Sequence, residues 1–228
     1  MLENEFNQPI GESVLQSGMF QSPTAETLNG RYVILQKLSV EHIKDLYQSL
    51  ALPEYDDSWT YLFASPIHDQ KKFASYILEL IAKEDIYYAI INKDSNKAVG
   101  YLSLMRVNPM HGSIEVGNVH YSHMLKRSRM ATEAQYLLAQ YVFETLQYRR
   151  YEWKCDNLNS PSKKAALRLG FTYEGLFRKA IIYKGRNRDT AWFAMIDDEW
   201  PEIKERLLVW LNPSNFDSNG HQFSKLNP

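Results

Sequence analysis

Three features are scarce in this 228-residue chain, and each scarcity excludes a class of protein. A single cysteine, Cys155, allows no intrachain disulfide and no cysteine-rich zinc site. No apolar run approaches the roughly 20 residues that a membrane-spanning helix needs. Charge of one sign is not in excess, because 26 basic residues face 27 acidic ones, so nothing in the balance suggests a nucleic-acid partner.

The first 13 residues also lack the marks of a targeting segment. They contain no basic start followed by an apolar stretch, so we expect no secretory signal. With no membrane segment expected either, the sequence predicts a cytoplasmic protein.

What the chain does have is enough apolar sequence for one sizeable core. Hydrophobic residues make up 44% of it, and the length suits one domain. Residues 1–28 are rich in polar residues and have no sustained period, which predicts an extended N-terminal arm. The domain is predicted over 29–211, followed by a C-terminal tail over 212–228.

Within the domain, the hydrophobic periods predict an α/β fold. The predicted order is a strand, two helices, three strands, a helix, a strand, a helix, two strands and a helix. The clearest helix is predicted over 131–146. The strand–helix–strand unit over 113–155 should form a right-handed parallel crossover, while short polar turns favour antiparallel neighbours elsewhere. A mixed central β-sheet flanked by helices follows.

A basic segment lies where the last of the three strands passes into the clearest helix. Lys126, Arg127 and Arg129 place three cations within four residues. A helix N-terminus has unpaired N–H groups and partial positive charge, so anions such as a pyrophosphate bind there. A solvated basic turn is the alternative interpretation of the same residues.

This segment resembles the coenzyme-A loop of the GNAT superfamily of N-acetyltransferases, which has the pattern Q/R-x-x-G-x-G/A. Lys126 stands at the first position, Ala131 at the last, and Arg129 where the family has its first glycine. Arginine has a Cβ, so a ligand can approach the backbone less closely there. The Ala-Thr-Glu-Ala continuation is typical of the branch that includes the ribosomal-protein N-terminal acetyltransferases.

Two further segments extend the resemblance to about residues 28–211. Asn159 and Ser162, followed by Leu-Gly-Phe at 169–171, are similar to the family's N-x-x-S…L-G-F segment. Residues 113–117 are similar to the branch's central strand. The resemblance implies a GNAT-like fold with acetyl-CoA as co-substrate, although Asn159 and Ser162 also suit ordinary capping.

The resemblance implies a cofactor site built from the strand end, the loop and the start of the next helix. The predicted cofactor-binding residues are Val119, Tyr121, Lys126, Arg127, Ser128, Arg129, Met130, Ala131, Thr132, Asn157, Asn159 and Ser162.

Acetyl transfer to an amine needs a base, because the amine is protonated at neutral pH. Glu115 is the candidate, since a carboxylate in a mostly apolar strand is costly unless it is used or paired. An ion pair to a neighbouring strand is the open alternative. Strand alternation predicts Glu115, Gly117, Val119 and Tyr121 on one face, which must then line the cleft.

A general acid can protonate the departing thiolate, although a coenzyme-A thiolate is a fair leaving group that can depart without a strong acid. Many family members place a tyrosine on the helix after the Asn-Ser segment for this purpose, and the matching residue here is Ala166. We assign the role to Ser162, with Tyr121 as the alternative. Both Glu115 and Ser162 are therefore predicted catalytic residues.

Together with the hairpin loop over 184–190, an acidic and aromatic segment is the candidate for substrate binding. It contains Asp56, Asp57, Trp59 and Tyr61, which suit a cationic amine beside an apolar group, with an aromatic face for cation–π contact. Surface acids beside core aromatics are the alternative. The six histidines lack a metal-ligand spacing, and we predict no metal.

The sequence therefore predicts an N-acetyltransferase that moves an acetyl group from acetyl-CoA to an amine by direct attack. A protein N-terminus and a small amine or amino-acid derivative are both open as acceptors, and so is a homodimer. A non-catalytic acyl-CoA-binding or sensing module of the same fold is the alternative, motivated by Arg129 and Ala166. An interaction scaffold would differ from both in not binding CoA.

Overall fold

Ten strands and five α-helices lie within residues 2–14 and 18–227, which are the residues that the computed structural model describes. The strands are β1 (Leu2–Glu3), β2 (Pro9–Ile10), β3 (Thr27–Asn29), β4 (Val33–Lys37), β5 (Ile86–Asn92), β6 (Lys97–Asn108), β7 (Ser113–Tyr121), β8 (Arg150–Asp156), β9 (Thr172–Tyr183) and β10 (Arg186–Ile196). The helices are α1 (Ile43–Leu50), α2 (Gln70–Ile81), α3 (Arg129–Gln140), α4 (Ser160–Leu169) and α5 (Trp200–Leu211).

Eight of these strands form one mixed sheet in the order β3-β4-β5-β6-β7-β8-β10-β9. Every neighbouring pair is antiparallel except β7 and β8, which are parallel and are connected through α3. The structure therefore confirms the predicted α/β fold with a mixed sheet and the predicted parallel unit. The short strands β1 and β2 pair only with each other.

Two hydrophobic clusters cover the two faces of the sheet. One cluster packs Leu46 of α1 and Phe73 of α2 against Tyr101 of β6, and we call this side the front face. The other packs α3, α4 and α5 against side chains such as Leu104 and Val116, and we call it the back face. Each fully buried aliphatic side chain contributes about 1.5–3 kcal/mol.

Local sequence explains where the helices around the sheet begin and end. Asp69 caps α2, because its side chain accepts a hydrogen bond from the amide of Lys72. Gly170 ends α4 with a left-handed φ of 108°, which glycine adopts without a Cβ penalty. The helix predicted over 131–146 is divided, because α3 ends at Gln140 and one turn of π-helix follows at Tyr141–Thr145. The amide of Leu146 bonds to the carbonyl of Tyr141, five residues back.

The arm and the tail both pack on the domain. Phe20 is buried, and its ring occupies the space that a Cβ at Gly112 would need. Phe216 and Leu226 of the tail are buried in the back-face cluster. Residues 15–17 of the predicted arm and Pro228 of the tail lie outside the described residues, and the boundaries between arm, domain and tail stay predictions.

A bulge in β7 makes the predicted alternation wrong. Gly117 pairs with Ser103, and the next pair joins His120 to Tyr101, so three steps on β7 face two on β6. The extra residue is accommodated at Asn118, whose φ is 49°. Glu115, Gly117 and His120 therefore share the front face, while the register turns Val119 and Tyr121 to the back.

No helix in the described part of the chain is long and apolar enough to cross a membrane.

Candidate active site at the split between two parallel strands

The sheet opens between β7 and β8. Their ladder runs from Ser113, opposite Arg150, to Val116, opposite Trp153, and the described pairing ends there. Farther along, β7 pairs with β6 and β8 pairs with β10. Backbone N–H and C=O groups at the end of β7 thus lack a hydrogen-bond partner on the β8 side, and such groups need a different hydrogen-bond partner. A wedge results, with the starts of α3 and α4 at its mouth.

The start of α3 is built to receive an anion. Ser128 is the N-cap, and its hydroxyl accepts a hydrogen bond from the amide of Ala131 at 3.2 Å. The amides of Arg129 and Met130, the first two of the helix, have no intrahelical partner. Lys126 and Arg127 precede them, and Arg127 turns the loop with a left-handed φ of 60°.

Arg129 occupies the glycine position of the family pattern without strain, because its φ is not left-handed. Its guanidinium carbon lies 4.3 Å from the ring centroid of Tyr32 and 5.4 Å from that of Phe216. The side chain is therefore held by two aromatic rings beside the helix start. Its charge still adds to the positive potential there.

The remaining loop residues have packing roles as well. Met130 and Ala131 are half-buried against the back-face cluster. Thr132 is buried, and its hydroxyl accepts a hydrogen bond from Arg168 Nη1 at 3.1 Å, which joins α3 to α4. Arg168 brings a further cation to this end of the wedge.

The predicted residues at the start of α4 make local hydrogen bonds. Asn159 Oδ1 accepts from the amide of Ser162 at 3.1 Å, and the side chain of Asn157 accepts from Lys163 Nζ at 2.9 Å. Ser162 Oγ accepts from Trp153 Nε1 at 3.0 Å. Capping is thus one function of Asn159, and cofactor binding by these residues stays a prediction. Ala166 is fully buried.

Tyr121 lies on the back face, away from Glu115. Its hydroxyl accepts a hydrogen bond from Gln135 Nε2 at 2.7 Å, and burial raises its pKa. Its side chain is thus held in the back-face cluster, whereas its backbone remains at the edge of the wedge.

Glu115 is almost completely buried and is paired with two cations. Its Oε2 lies 2.7 Å from Arg106 Nη1 and 2.7 Å from Lys154 Nζ. Lys154 is buried too, contacts Glu152 Oε2 at 2.7 Å, and lies 3.8 Å from the ring centroid of Trp192. The alternative of an interstrand ion pair is therefore observed. Since both ion pairs use Oε2, Oε1 is the oxygen left for an acceptor amine or a water.

The predicted substrate acids are also paired. Asp57 Oδ1 lies 2.8 Å from His123 Nε2, with Lys126 Nζ 3.4 Å from Oδ2, and Asp56 Oδ1 lies 2.7 Å from His68 Nε2. Burial alone would raise the pKa of Asp57, but the bond from His123 and the charge of Lys126 outweigh it and lower that pKa. These contacts connect the segment to the coenzyme-A loop.

The aromatic residues of this segment differ from the prediction. Trp59 is 1% exposed, and its indole N–H donates to the carbonyl of Leu50, so its ring has no open face for a cation. That part of the substrate prediction is wrong, because the ring is needed in the front-face core. Tyr61 is half-buried and donates to the carbonyl of Leu158 at 3.0 Å, across the mouth of the wedge.

Sequence reasoning missed His120, which sits on the front face just after the bulge. Its Nε2 lies 2.8 Å from Ser58 Oγ, and its Nδ1 lies 3.3 Å from the hydroxyl of Tyr101. Burial, aided by the charge of Lys126, lowers the pKa of His120 to about 3, so the ring is neutral at ordinary pH. His120 faces the front only because of the bulge at Asn118, which the sequence pattern does not show.

Two of three polar side chains of β10 fall within the hairpin loop predicted over 184–190, and sequence reasoning missed the third, Trp192. Arg188 Nε, Thr190 Oγ1 and Trp192 Nε1 are fully buried atoms without a hydrogen-bond partner among residues 2–14 and 18–227. The sequence contained a signal for them, since a polar strand Arg-Asn-Arg-Asp-Thr is unusual in a core. Within the same residues, no group of three or more His, Cys, Asp or Glu side chains could hold a metal ion.

Comparisons with known proteins give the wedge a context. The profile of the acetyltransferase (GNAT) domain family matches residues 33–172. The uncharacterized N-acetyltransferase p20 of Bacillus licheniformis is 28% identical over 181 residues, which cover 77% of this chain and 98% of that protein.

Solved structures agree with that family match. A GCN5-related N-acetyltransferase from Brucella melitensis is 40% identical, with a TM-score of 0.91, covering 93% of this chain and 97% of that one. The ribosomal-protein-S5-alanine acetyltransferase from Vibrio fischeri is 14% identical, with a TM-score of 0.63, covering 76% and 98%. The second likeness is one of fold alone.

Proposed function

The chain belongs to the acetyltransferase (GNAT) domain family, and from that premise we propose that it transfers an acetyl group from acetyl-CoA to the nitrogen of an amine by direct attack. The wedge between β7 and β8 carries the proposal, because it combines open backbone groups with a capped helix start and several cations. We place the pantetheine arm along the strand ends and the pyrophosphate at the start of α3. A cytoplasmic location stays a prediction from the sequence.

The chemistry needs a base that removes protons from the amine and a donor that protonates the thiolate, and this chain has a candidate for each. An acceptor ammonium must lose a proton before its nitrogen attacks the thioester carbon, and Glu115 Oε1 is the candidate base, directly or through water. The nitrogen of the tetrahedral adduct loses its second proton, the oxyanion collapses, the C–S bond breaks, and the thiolate takes a proton. Ser162, whose Oγ accepts from Trp153 Nε1 and whose hydroxyl is hydrogen-bonded to the thiol of Cys155, is the candidate donor.

The test has two parts. Calorimetry with CoA measures binding, and release of free thiol from acetyl-CoA in the presence of amines, amino acids and peptides measures transfer. We expect CoA to bind and at least one class of amine to be acetylated. Failure of CoA to bind would overturn the proposal and favour an interaction scaffold.

A non-catalytic acyl-CoA sensor is the second candidate. The observations that favour it are the full ion pairing of Glu115 and the buried Ala166 where many family members have a tyrosine. This alternative predicts tight binding of acetyl-CoA with no thiol release for any amine in the panels.

A further inference from the structure

We propose that the acceptor carries a carboxylate as well as its amine, and that Arg188, Thr190 and Trp192 bind this carboxylate on the front face of the sheet. The inference rests on the proposed function, because it names the acceptor class for the same site. We call these three residues the β10 donor row.

The β10 donor row lies on one side of its strand. Its members alternate at 188, 190 and 192, so their side chains point the same way. Trp192 is opposite Lys154 and Thr190 is opposite Asp156 in the register with β8. Because Lys154 contacts Glu115, the row shares the front face with the candidate base and lies on the other side of β8 from it.

Arg188 is the decisive member, since it is a buried cation without a salt-bridge partner. It is 8% exposed and forms no salt bridge within residues 2–14 and 18–227. The carboxylate of Asp156 is engaged elsewhere, because Oδ2 accepts from the hydroxyl of Tyr183 and Oδ1 from the amide of Leu158. A buried guanidinium is costly unless an anion accompanies it.

Its neighbours in the row select the same kind of ligand. Trp192 Nε1 can only donate a hydrogen bond, and Thr190 Oγ1 can donate one. Three donors without partners require a group that accepts several hydrogen bonds. Water would satisfy the two neutral donors but would leave the charge of Arg188 uncompensated. A carboxylate compensates that charge, accepts further hydrogen bonds from neighbouring donors and matches the planar guanidinium.

The surroundings partly close this place and add positive charge. Lys184 Nζ donates to the carbonyl of Trp59 at 2.7 Å, which links the β9–β10 turn to the front-face segment that follows α1. Phe63, in that segment, lies 5.8 Å from the ring of Tyr183 and 5.7 Å from the guanidinium of Arg188. The carboxylate would thus sit between a basic turn and aromatic rings.

These features favour a small amino acid or amino-acid derivative over a protein N-terminus. A free amino acid carries its carboxylate within a few bonds of the amine. A protein N-terminus presents only neutral amide carbonyls at that distance, which would leave the buried charge of Arg188 without an anion.

The experiment compares matched acceptors and matched variants. Each α-amino acid is assayed for acetylation beside its carboxamide and its decarboxylated amine. We expect the wild type to prefer the acids, and Arg188→Gln to raise the KM of the acids by about 10- to 100-fold, the range for charge-assisted hydrogen bonds. The KM of the amines without a carboxylate and that of acetyl-CoA should not change.

Arg186→Gln is the control, because Arg186 is an exposed arginine two residues earlier on the same strand. It should leave every KM within about twofold. Arg188→Lys serves if Arg188→Gln does not fold: it keeps the charge, loses the planar fork and should give an intermediate KM for the acids.

Two results would overturn the inference while the proposed function stands. One is acetylation of carboxamides or simple amines as efficiently as acids by the wild type. The other is an equal rise in KM for acids and carboxamides in Arg188→Gln. Acetylation of peptides, with no effect of Arg188→Gln, would point to a protein N-terminus instead. If the wild type does not bind CoA in calorimetry, the proposed function itself fails.

Discussion

Glu115 and Arg188 are both charged and buried on the front face of the same sheet, yet their surroundings are opposite. Glu115 Oε2 has two cations within 2.7 Å, and Lys154 shares its charge with Glu152 as well. Arg188 forms no salt bridge among the described residues, and two further donors on its strand are also without hydrogen-bond partners. The charge of Glu115 is thus fully paired within the protein, whereas Arg188 and its neighbours are donors without acceptors.

The difference separates two reasons for a charge in a core. A fully paired network contributes to the structure whether or not a ligand is present, and removing one member leaves the other charge buried. An unpaired buried charge lowers the stability of the free protein, and this cost is offset only when an anion binds. The most informative experiments therefore change one member of each region and measure stability and kinetics separately.

The largest expected effect comes from Glu115→Gln, which keeps the shape and removes the base. If Glu115 Oε1 accepts the amine proton, turnover should fall by roughly 10²- to 10⁴-fold with little change in CoA affinity. Glu152→Gln is the control, because Glu152 is paired with the same lysine and faces Glu115 across β7 and β8. Steady-state kinetics and calorimetry measure both quantities. Equal loss in the two variants would assign Glu115 to structure.

Stability should distinguish the two regions most directly. Glu115→Gln should lower the free energy of unfolding by about 3 kcal/mol, since Lys154 stays buried with one partner fewer. Arg188→Met should leave it unchanged or raise it by about 1 kcal/mol, because a buried charge without a salt-bridge partner is removed. Urea unfolding at constant pH measures both. A loss of 3 kcal/mol in Arg188→Met would mean that Arg188 is part of the structure.

The sequence predicted the part of this arrangement that depends on hydrophobic period and end signals. Asp69, Ser128 and Gly170 begin or end helices where their chemistry requires, and the predicted order of strands and helices within the domain agrees with the structure from β4 to α5. The coenzyme-A loop could be recognised because its function depends on consecutive residues at a helix start.

The acceptor side could not be predicted in the same way, because it is assembled across strands. The bulge at Asn118 exchanges which residues of β7 face the front, and a two-residue period cannot show it. The partners of Glu115 come from positions 106 and 154, so its ion pairs depend on the strand order rather than on local sequence.

A third buried group on the front face, His120, gives a smaller effect with a definite sign. Its folded pKa of about 3 lies below the ordinary value of 6.5, so the unfolded chain binds the proton more readily. The stability is fully present above about pH 6.5 and decreases as the pH falls toward 3. Between about pH 7.5 and 5, His120 should account for a loss of about 2 kcal/mol.

His120→Gln measures this contribution, because glutamine can replace one ring hydrogen bond but cannot titrate. Chemical unfolding of wild type and variant at several pH values should give curves whose difference shrinks as the pH falls. His42, whose pKa burial also lowers, stays in both proteins and cancels. Parallel curves would mean that His120 is not the buried neutral group that the structure indicates.

Replacing Arg129 gives the smallest expected effect. Its charge is held neither by carboxylates nor by a ligand but by two aromatic rings. Its guanidinium stays over Tyr32 and Phe216, beside the helix start and not directed into the wedge. Arg129→Gln should therefore weaken CoA binding by about 1 kcal/mol, the lower part of the range for a charged hydrogen bond. Arg31→Gln, which removes an exposed cation near Tyr32, should leave the Kd unchanged. Calorimetry at low and moderate salt decides the matter, since an electrostatic contribution weakens as salt rises. An unchanged Kd for Arg129→Gln at low salt would mean that Arg129 only packs against Phe216 of the tail. Binding of the pyrophosphate would then depend on Lys126, Arg127 and the amides of Arg129 and Met130.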